Sequence, residues 1–199
     1  MKNNIATPQR NCISDIEFIS RINVAMSSVA NLTNNMSNIL RMIGEHERND
    51  RVEIINVRPD MSFSIVHEWY HPTVAGHPEI KMKFPYLFEK RLQKQLNEEN
   101  YILIDDPESL TNESLKSYLK ELKAKHVALI PLFIGNAFAF LAFCHCKEQE
   151  IWDKRDLHVM TLLSSTIAAN LEKSRVMNRL INHVYQNNYK SSNIQVAKV

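Results

Sequence analysis

Cysteine and histidine side chains are the first candidates for chemistry in this sequence. Cys144, His145 and Cys146 are consecutive, and alternation along a strand would place both cysteines on one face and His145 on the other. Residues two apart on a strand are separated by roughly 6 to 7 Å, which is poor geometry for a disulfide. We therefore interpret Cys144 and Cys146 as small buried hydrophobic residues.

Other reactive side chains do not form a recognisable catalytic or metal site. His67 and His71 are four apart and could share a face of a strand, with His77 in the loop that follows, but no further ligand stands at zinc-binding spacing. Asp105 and Asp106 precede a proline and are better explained as a turn and helix entry than as an acid/base pair. Only three glycines are present, and they form no phosphate-binding loop. We predict no metal, no catalytic residues and no enzyme.

Length and composition indicate one domain with a sizeable core. The chain has 199 residues, of which 44% are apolar and 23% charged. The net charge of +2 is too small to indicate direct nucleic-acid or membrane binding. The last 27 residues, 173–199, contain five basic and no acidic side chains, and we interpret this tail as solvated.

Targeting signals are not evident. The amino terminus has no apolar stretch behind its lysine, and no run approaches the roughly 18 to 20 apolar residues of a membrane span. Three cysteines, an odd number, fit a reducing compartment. We expect a cytoplasmic protein.

Two long helices are predicted near the ends of the chain. Apolar residues recur at helical spacing over residues 13–46, with Gly44 as a stop signal, and again from about 153 to 185. In the first helix, the positions from Val29 to Ile43 step alternately by 3 and 4. That spacing favours either one face packed on the sheet of its own domain or a coiled-coil seam.

The middle of the chain is predicted to be a sheet with two intervening helices. Strands are expected at 51–58, 61–71 and 101–104, and a hairpin joins 127–134 to 137–146 around Gly135 and Asn136. Helices are expected at 86–99 and at 112–125, the latter capped by Asn112 or Thr111. The fold class is therefore α+β: a central, mostly antiparallel sheet of five or six strands, covered by helices on both faces, with long N- and C-terminal helices.

This order of elements resembles the GAF domains, a family of small-molecule-sensing signalling modules. The resemblance rests on the strand RVEIINVR, the strand ending at Glu68 and Trp69, "ALIPL", the Gly135 hairpin, "FLAF", and the helix after Trp152. It covers about residues 18–185, and the PAS domain is the nearest relative in architecture. The predicted organisation is a flexible or helical extension (1–17), a GAF-like sensor domain (18–172), and a C-terminal helical extension and tail (173–199).

The resemblance implies a ligand pocket between the sheet and the middle helices. It would place seven apolar residues at the pocket, namely Trp69, Phe84, Phe88, Ile104, Leu119, Leu129 and Phe140. The polar groups able to orient a ligand would be Glu68, His71 and Asp105. The alternative is a filled core without a ligand, since apolar residues at these spacings are often only packing.

Two differences from the family reduce the range of expected ligands but do not identify the ligand. Light-sensing members attach a bilin through a Cys-His pair ahead of the hairpin, and residues 111–125 contain no cysteine. The Asn-Lys-Phe-Asp-Glu set of cyclic-nucleotide-binding members has no clear counterpart. The cofactor is therefore unknown, and any ligand is expected to be non-covalent.

The function predicted from this resemblance is a regulatory module of a bacterial-type signalling protein. It would bind a small ligand or partner and pass a signal through its terminal helices to an output domain. One alternative is a GAF-fold methionine sulfoxide reductase, for which we expect no turnover; another is a stand-alone adaptor or transcription-regulatory domain.

A parallel homodimer through the terminal helices is also predicted. The end of the last helix carries an apolar stripe of Val176 or Met177, Leu180 and Val184. Antiparallel packing of the first and last helices would bring this stripe to the start of the first helix, where the apolar positions are Ile16, Ile19 and Ile22. Two such pairs would make a four-helix bundle.

Overall fold

The computed structural model describes residues 12–27, 32–60, 62–74, 76, 90–147 and 151–196. The helices are α1 (Cys12–Ser27), α2 (Leu32–Glu47), α3 (Lys90–Glu99), α4 (Glu113–Glu121) and α5 (Lys154–Val196). The strands are β1 (Arg51–Val57), β2 (Phe63–Tyr70), β3 (Ile102–Ile104), β4 (His126–Ile134) and β5 (Ala137–His145). A short 3-10 helix spans Pro107–Ser109.

The strands form one five-stranded sheet in the order β2-β1-β5-β4-β3, and every neighbouring pair is antiparallel. The β4–β5 hairpin turns at Gly135, whose φ of 58° lies in the left-handed region that glycine adopts without strain. Asn112 caps α4 by accepting a hydrogen bond from the backbone N–H of Leu115 at 3.0 Å. The predicted α+β class is confirmed.

Each face of the sheet has its own core. Helices α1, α2 and α5 cover one face, and their buried side chains include Ile22, Met36, Ile39, Met160 and Leu163. Helices α3 and α4 lie over the other, where the buried side chains include Leu92, Ile104, Tyr118, Leu119 and Phe140. We call these the bundle face and the α4 face. Because β4 and β5 are buried on both sides, alternate residues of one strand enter different cores.

The first predicted helix is wrong in one respect, because its residues form two helices that pack in opposite directions. Phe18 of α1 stacks on His46 at the end of α2, with ring centroids 3.7 Å apart. An uninterrupted helix would hold these residues about 42 Å apart. Apolar periodicity cannot reveal this reversal, since each helix keeps the same spacing. Gly44 lies inside α2 and does not end it.

The predicted antiparallel packing of the first and last helices is also wrong. Asp15, near the start of α1, accepts hydrogen bonds from Arg155 at the start of α5, the shorter being 2.6 Å. Further along, the Asn170 amide donates to the Asn23 side chain at 2.9 Å. The two helices therefore run parallel, and the start of α1 lies far from the exposed end of α5.

Helix α5 continues beyond the rest of the domain. The Arg175 guanidinium lies against Gly135 at the β4–β5 turn. Past this point the apolar side chains are exposed, and these are Val176, Met177, Leu180, Ile181, Val184 and Tyr185. The whole helix has 43 residues, or a length of about 65 Å, which exceeds what one sheet of this size covers.

Gly44 offers a test of how α2 packs on the sheet. A Cβ at this position would collide with the indole of Trp69, so Gly44→Ala should lower the free energy of unfolding by about 1–3 kcal/mol, even though alanine favours helix by about 1 kcal/mol. The matched control is Asn34→Ala on the exposed side of the same helix, which should leave stability unchanged or slightly raised. Chemical denaturation measures both, and a Gly44→Ala protein as stable as wild type would contradict this packing.

Candidate functional site

A buried polar cluster lies on the α4 face among apolar side chains. Alternation places Arg51 and Glu53 of β1 on this face, where Arg51 Nη1 lies 3.3 Å from Glu53 Oε1. Their exposed fractions are 1% and 4%. The strand register sets Glu68 beside Glu53 and Tyr70 beside Arg51, and the guanidinium carbon lies 5.3 Å from the centre of the Tyr70 ring. These charges interact strongly because little water reaches them.

Tyr118 brings a phenol from α4 to the same cluster. Burial raises its pKa well above the ordinary value, and the Glu53 carboxylate raises it further, while the Arg51 charge acts in the opposite direction. The phenol therefore stays protonated at neutral pH and remains a hydrogen-bond donor. A hydroxyl donor, a guanidinium and carboxylates are chemical groups able to orient a polar ligand.

Two thiols complete the cluster. Cys144 and Cys146 have their Sγ atoms 3.7 Å apart, closer than strand spacing predicts. The reason is that β5 ends at His145, and the Asp50 carboxylate accepts the backbone N–H groups of Cys146 and Lys147 at 2.8 and 3.1 Å. Cys146 is thereby held just past the end of the strand rather than in it.

The environments of the two thiols differ. The hydrogen bond with Cys146 raises the pKa of the Cys144 thiol, and burial raises it further. The same hydrogen bond lowers the pKa of Cys146, and so does the Arg51 guanidinium, while burial opposes them. Of the two thiols, the half-buried Cys146 is therefore the one that loses its proton more readily.

His145 lies on the opposite face from the cysteines, as alternation predicts. It is buried, and its ring lies 4.2 Å from the Trp152 ring, centre to centre. Neither ring nitrogen has a hydrogen-bond partner among the residues that the structure describes. Burial lowers the pKa of His145 to about 4, the Asp50 charge raising it and His126 lowering it.

Four of the sequence-predicted pocket residues come together on the α4 face. Ile104, Leu119 and Phe140 are buried there, and Leu129 packs against them. Glu68 joins the same face through its pairing with Glu53. The structure thus assembles half of the ten predicted positions around the polar cluster.

The remaining predicted positions lie elsewhere. Trp69 follows Glu68 on β2 and therefore faces the bundle core. The His71 ring lies edge-on to the Trp69 ring, with the two ring centres 6.4 Å apart. Asp105 is exposed, and its backbone oxygen lies 2.8 Å from His126 Nδ1. Phe84 and Phe88 lie outside the described residues.

The sequence interpretation missed Arg51, Glu53, Tyr118 and the closeness of the two thiols. One signal was available: the first half of β1, residues 51–54 (RVEI), alternates the charged Arg51 and Glu53 with apolar residues. Because β1 lies inside the sheet and α3 and α4 cover this face, both charged side chains are buried.

A separate open cavity of about 320 Å³ lies beside the edge strand β2. It is lined by Ser37, Ile65, Val66, His67 and Glu68. Burial lowers the pKa of His67.

No group of three or more His, Cys, Asp or Glu side chains within the described part of the chain is arranged to hold a metal. Across the same residues, no helix is long and apolar enough to cross a membrane.

Comparison with solved structures identifies this architecture. A phycoerythrobilin-bound GAF domain from a cyanobacterial phytochrome matches with a TM-score of 0.66 and 14% identity, over 85% of this chain and 99% of that one. The chain has the GAF fold. The blue-light absorbing form of the Thermosynechococcus elongatus PixJ GAF domain matches with a TM-score of 0.63 and 16% identity, over 90% of this chain and 98% of that one.

A phycocyanobilin-bound GAF domain from a cyanobacterial phytochrome gives a TM-score of 0.66 at 14% identity, over 85% of this chain and 98% of that one. No family model and no curated protein matches the sequence. The similarity is therefore one of fold alone.

His145 makes the stability of the domain depend on pH. The ordinary pKa of 6.5 applies to the unfolded chain and about 4 to the folded one, so the unfolded state binds the extra proton. The contribution of His145 to the free energy of unfolding is therefore fully present above about pH 6.5. It decreases by up to about 3 kcal/mol as the pH falls toward 4.

We expect His145→Phe, which keeps a ring against Trp152, to flatten the fall in the free energy of unfolding over this pH range. The control is His158→Phe at an exposed position of α5, which should keep the wild-type slope. Urea denaturation at several pH values gives both slopes, and equal slopes for wild type and His145→Phe would contradict the assignment.

Proposed function

We propose that this GAF-fold domain is a cytoplasmic regulatory sensor that binds a small molecule on the α4 face and passes the signal through α5. The observation that carries this proposal is the polar cluster of Arg51, Glu53 and Tyr118 buried against an apolar wall. A face that served only for packing would be expected to be apolar, as the bundle face largely is.

The strands of the sheet connect this cluster to α5. On β4, Leu129 faces the α4 side, and two residues later the Pro131 carbonyl accepts a hydrogen bond of 2.7 Å from Ser164 of α5. At the end of the hairpin, Arg175 of α5 contacts Gly135. A ligand that shifts β4 would therefore also shift α5 at two places.

A binding role is favoured over an enzymatic one. Two of the similar solved structures are bilin-bound GAF domains, and the polar cluster here contains groups suited to orienting a ligand. The reductase alternative has one observation in its favour, the 3.7 Å approach of the two thiols. Reduction of methionine sulfoxide by the purified chain, lost in Cys146→Ser, would favour that alternative.

The ligand prediction is tested with biliverdin, chosen as the probe because two of the similar solved GAF domains are bilin-bound. When the full chain is produced in cells that make biliverdin, native mass spectrometry should show the protein with a bound small molecule. Denaturing mass spectrometry of the same sample should show only the mass of the chain, since residues 111–125 contain no cysteine.

The matched variants for this test are Leu129→Trp, which fills the α4 face, and Lys120→Trp on the exposed side of α4. The first should lose the bound molecule and the second should keep it. A bare chain in the native spectrum of the wild type would contradict the ligand, and an adduct that survives denaturation would contradict non-covalent binding.

We further propose that the exposed end of α5 pairs with the same segment of a second copy. Met177, Leu180 and Val184 are spaced by 3 and 4 residues and are 40%, 56% and 56% exposed. That spacing is the seam of a two-stranded coiled coil. Because α1 and α5 run parallel, the start of α1 lies far from these residues. The proposed dimer contact therefore involves α5 alone, and not a four-helix bundle that includes α1.

The dimer is tested with Leu180→Glu combined with Val184→Glu. Sedimentation at tens of micromolar should show a dimer for the wild type and a monomer for the variant, because four like charges would face one another in the seam. The control pair, Asn178→Glu with Asn182→Glu, lies on the opposite side of the same helix turns and should remain dimeric. A monomeric wild type would remove this proposal.

A further inference from the structure

We propose that Cys144 and Cys146 are a redox-active dithiol that a hydroperoxide oxidises to an intramolecular disulfide. This inference rests on the geometry of the two thiols and needs no ligand on the α4 face. Neither cysteine is in a disulfide in this structure.

The two sulfurs are placed for bond formation. Their separation of 3.7 Å has to shorten to about 2.05 Å. Rotation of the Cys146 side chain can supply this movement because Cys146 lies past the end of β5, whereas Cys144 stays fixed in the strand ladder opposite Arg51 and Val127.

The surroundings give the two thiols different roles. Cys146 is half-buried, and the hydrogen bond with Cys144 and the Arg51 guanidinium lower the pKa of its thiol. A lower pKa favours the thiolate, the form that attacks peroxides. Cys144 is 5% exposed, so a peroxide in solution reaches Cys146 first. Cys146 is therefore the attacking thiol and Cys144 the resolving one.

The reaction balances with hydrogen peroxide as the oxidant. The Cys146 thiolate attacks one peroxide oxygen, the O–O bond breaks, and the departing hydroxide takes a proton to become water, which leaves a sulfenic acid on Cys146. Cys144 then loses its proton and attacks the Cys146 sulfur, forming the S–S bond and displacing hydroxide, which that proton converts to a second water. Two thiols are oxidised and one peroxide is reduced.

Disulfide formation would act on the junction of three strands. Asp50 receives the N–H of Cys146 through its carboxylate, donates its own N–H to the Cys144 carbonyl at 3.0 Å, and accepts from the N–H of His71 at 2.8 Å. This residue links the end of β5 to the start of β1 and the end of β2. Any backbone movement of Cys146 that accompanies this side-chain rotation would therefore strain contacts that hold the sheet beside the polar cluster.

The experiment exposes the purified full chain to hydrogen peroxide, blocks the remaining thiols by alkylation under denaturing conditions, and digests with trypsin. Both cysteines lie in one tryptic peptide, residues 126–147. We expect the mass of this peptide to fall by two hydrogens, about 2 Da, and neither cysteine in it to be alkylated. Treatment with dithiothreitol should restore the two hydrogens and make both cysteines available for alkylation again. Cys12→Ser should behave as the wild type does.

Single variants assign the two roles. Cys144→Ala, which keeps a small apolar side chain in the core, should stop at a Cys146 sulfenic acid that dimedone traps. Cys146→Ser should leave Cys144 unoxidised on the same time scale. Thermal melting confirms that each variant is folded, and if Cys146→Ser unfolds, Cys146→Ala replaces it.

Three results would overturn the proposal. The first is a wild-type protein in which Cys146 becomes a sulfenic or sulfinic acid while Cys144 is still alkylated. The second is a wild-type protein in which both cysteines are fully alkylated after peroxide treatment. The third is oxidation of Cys144 at the wild-type rate in the folded Cys146 variant. Each outcome is read from the 126–147 peptide and is independent of whether the α4 face holds a ligand.

Discussion

Burial of the central strands on both sides is the constraint on which the rest of this structure depends. Strand β5 lies between β1 and β4, and its neighbouring residues Phe143 and Cys144 enter different cores. A shift of one residue would exchange the two faces. Register in the sheet therefore decides which side chains meet the helical bundle and which meet the polar cluster under α4.

The polar cluster costs solvation free energy, and its ion pair does little for stability. Removing two charges from water offsets most of the attraction between them, and a well-packed apolar pair often stabilises a core as well or better. Arg51 and Glu53 are nonetheless held together on a strand whose other buried residues are apolar. A function on this face, such as orienting a ligand or lowering the pKa of Cys146, explains their presence better than folding does.

The contacts on the bundle face hold the first part of α5 against the sheet. Asp15 with Arg155, and Asn23 with Asn170, join α1 to the first half of α5. Ser164 and Arg175 attach the same helix to β4 and to its turn. Beyond Arg175 nothing in the described structure covers the apolar side of α5.

Local signals in the sequence determined the elements and the fold class. Gly135 and Asn136 between two apolar runs predicted the hairpin, Asn112 was one of two predicted caps for α4, and alternation correctly separated His145 from its neighbouring cysteines. These features depend on residues close together in the chain, which is why a sequence pattern reports them. Likewise, strands that are apolar on both faces required helices on both sides.

Only the tertiary structure decided the contacts between distant residues. The reversal between α1 and α2 depends on Phe18 meeting His46, and the parallel course of α1 and α5 depends on Asp15 meeting Arg155. Apolar periodicity is the same for either direction of packing, so it carried no information on these points. The approach of Cys146 to Cys144 likewise depends on the Asp50 carboxylate, almost a hundred residues earlier in the chain, which holds the turn after β5.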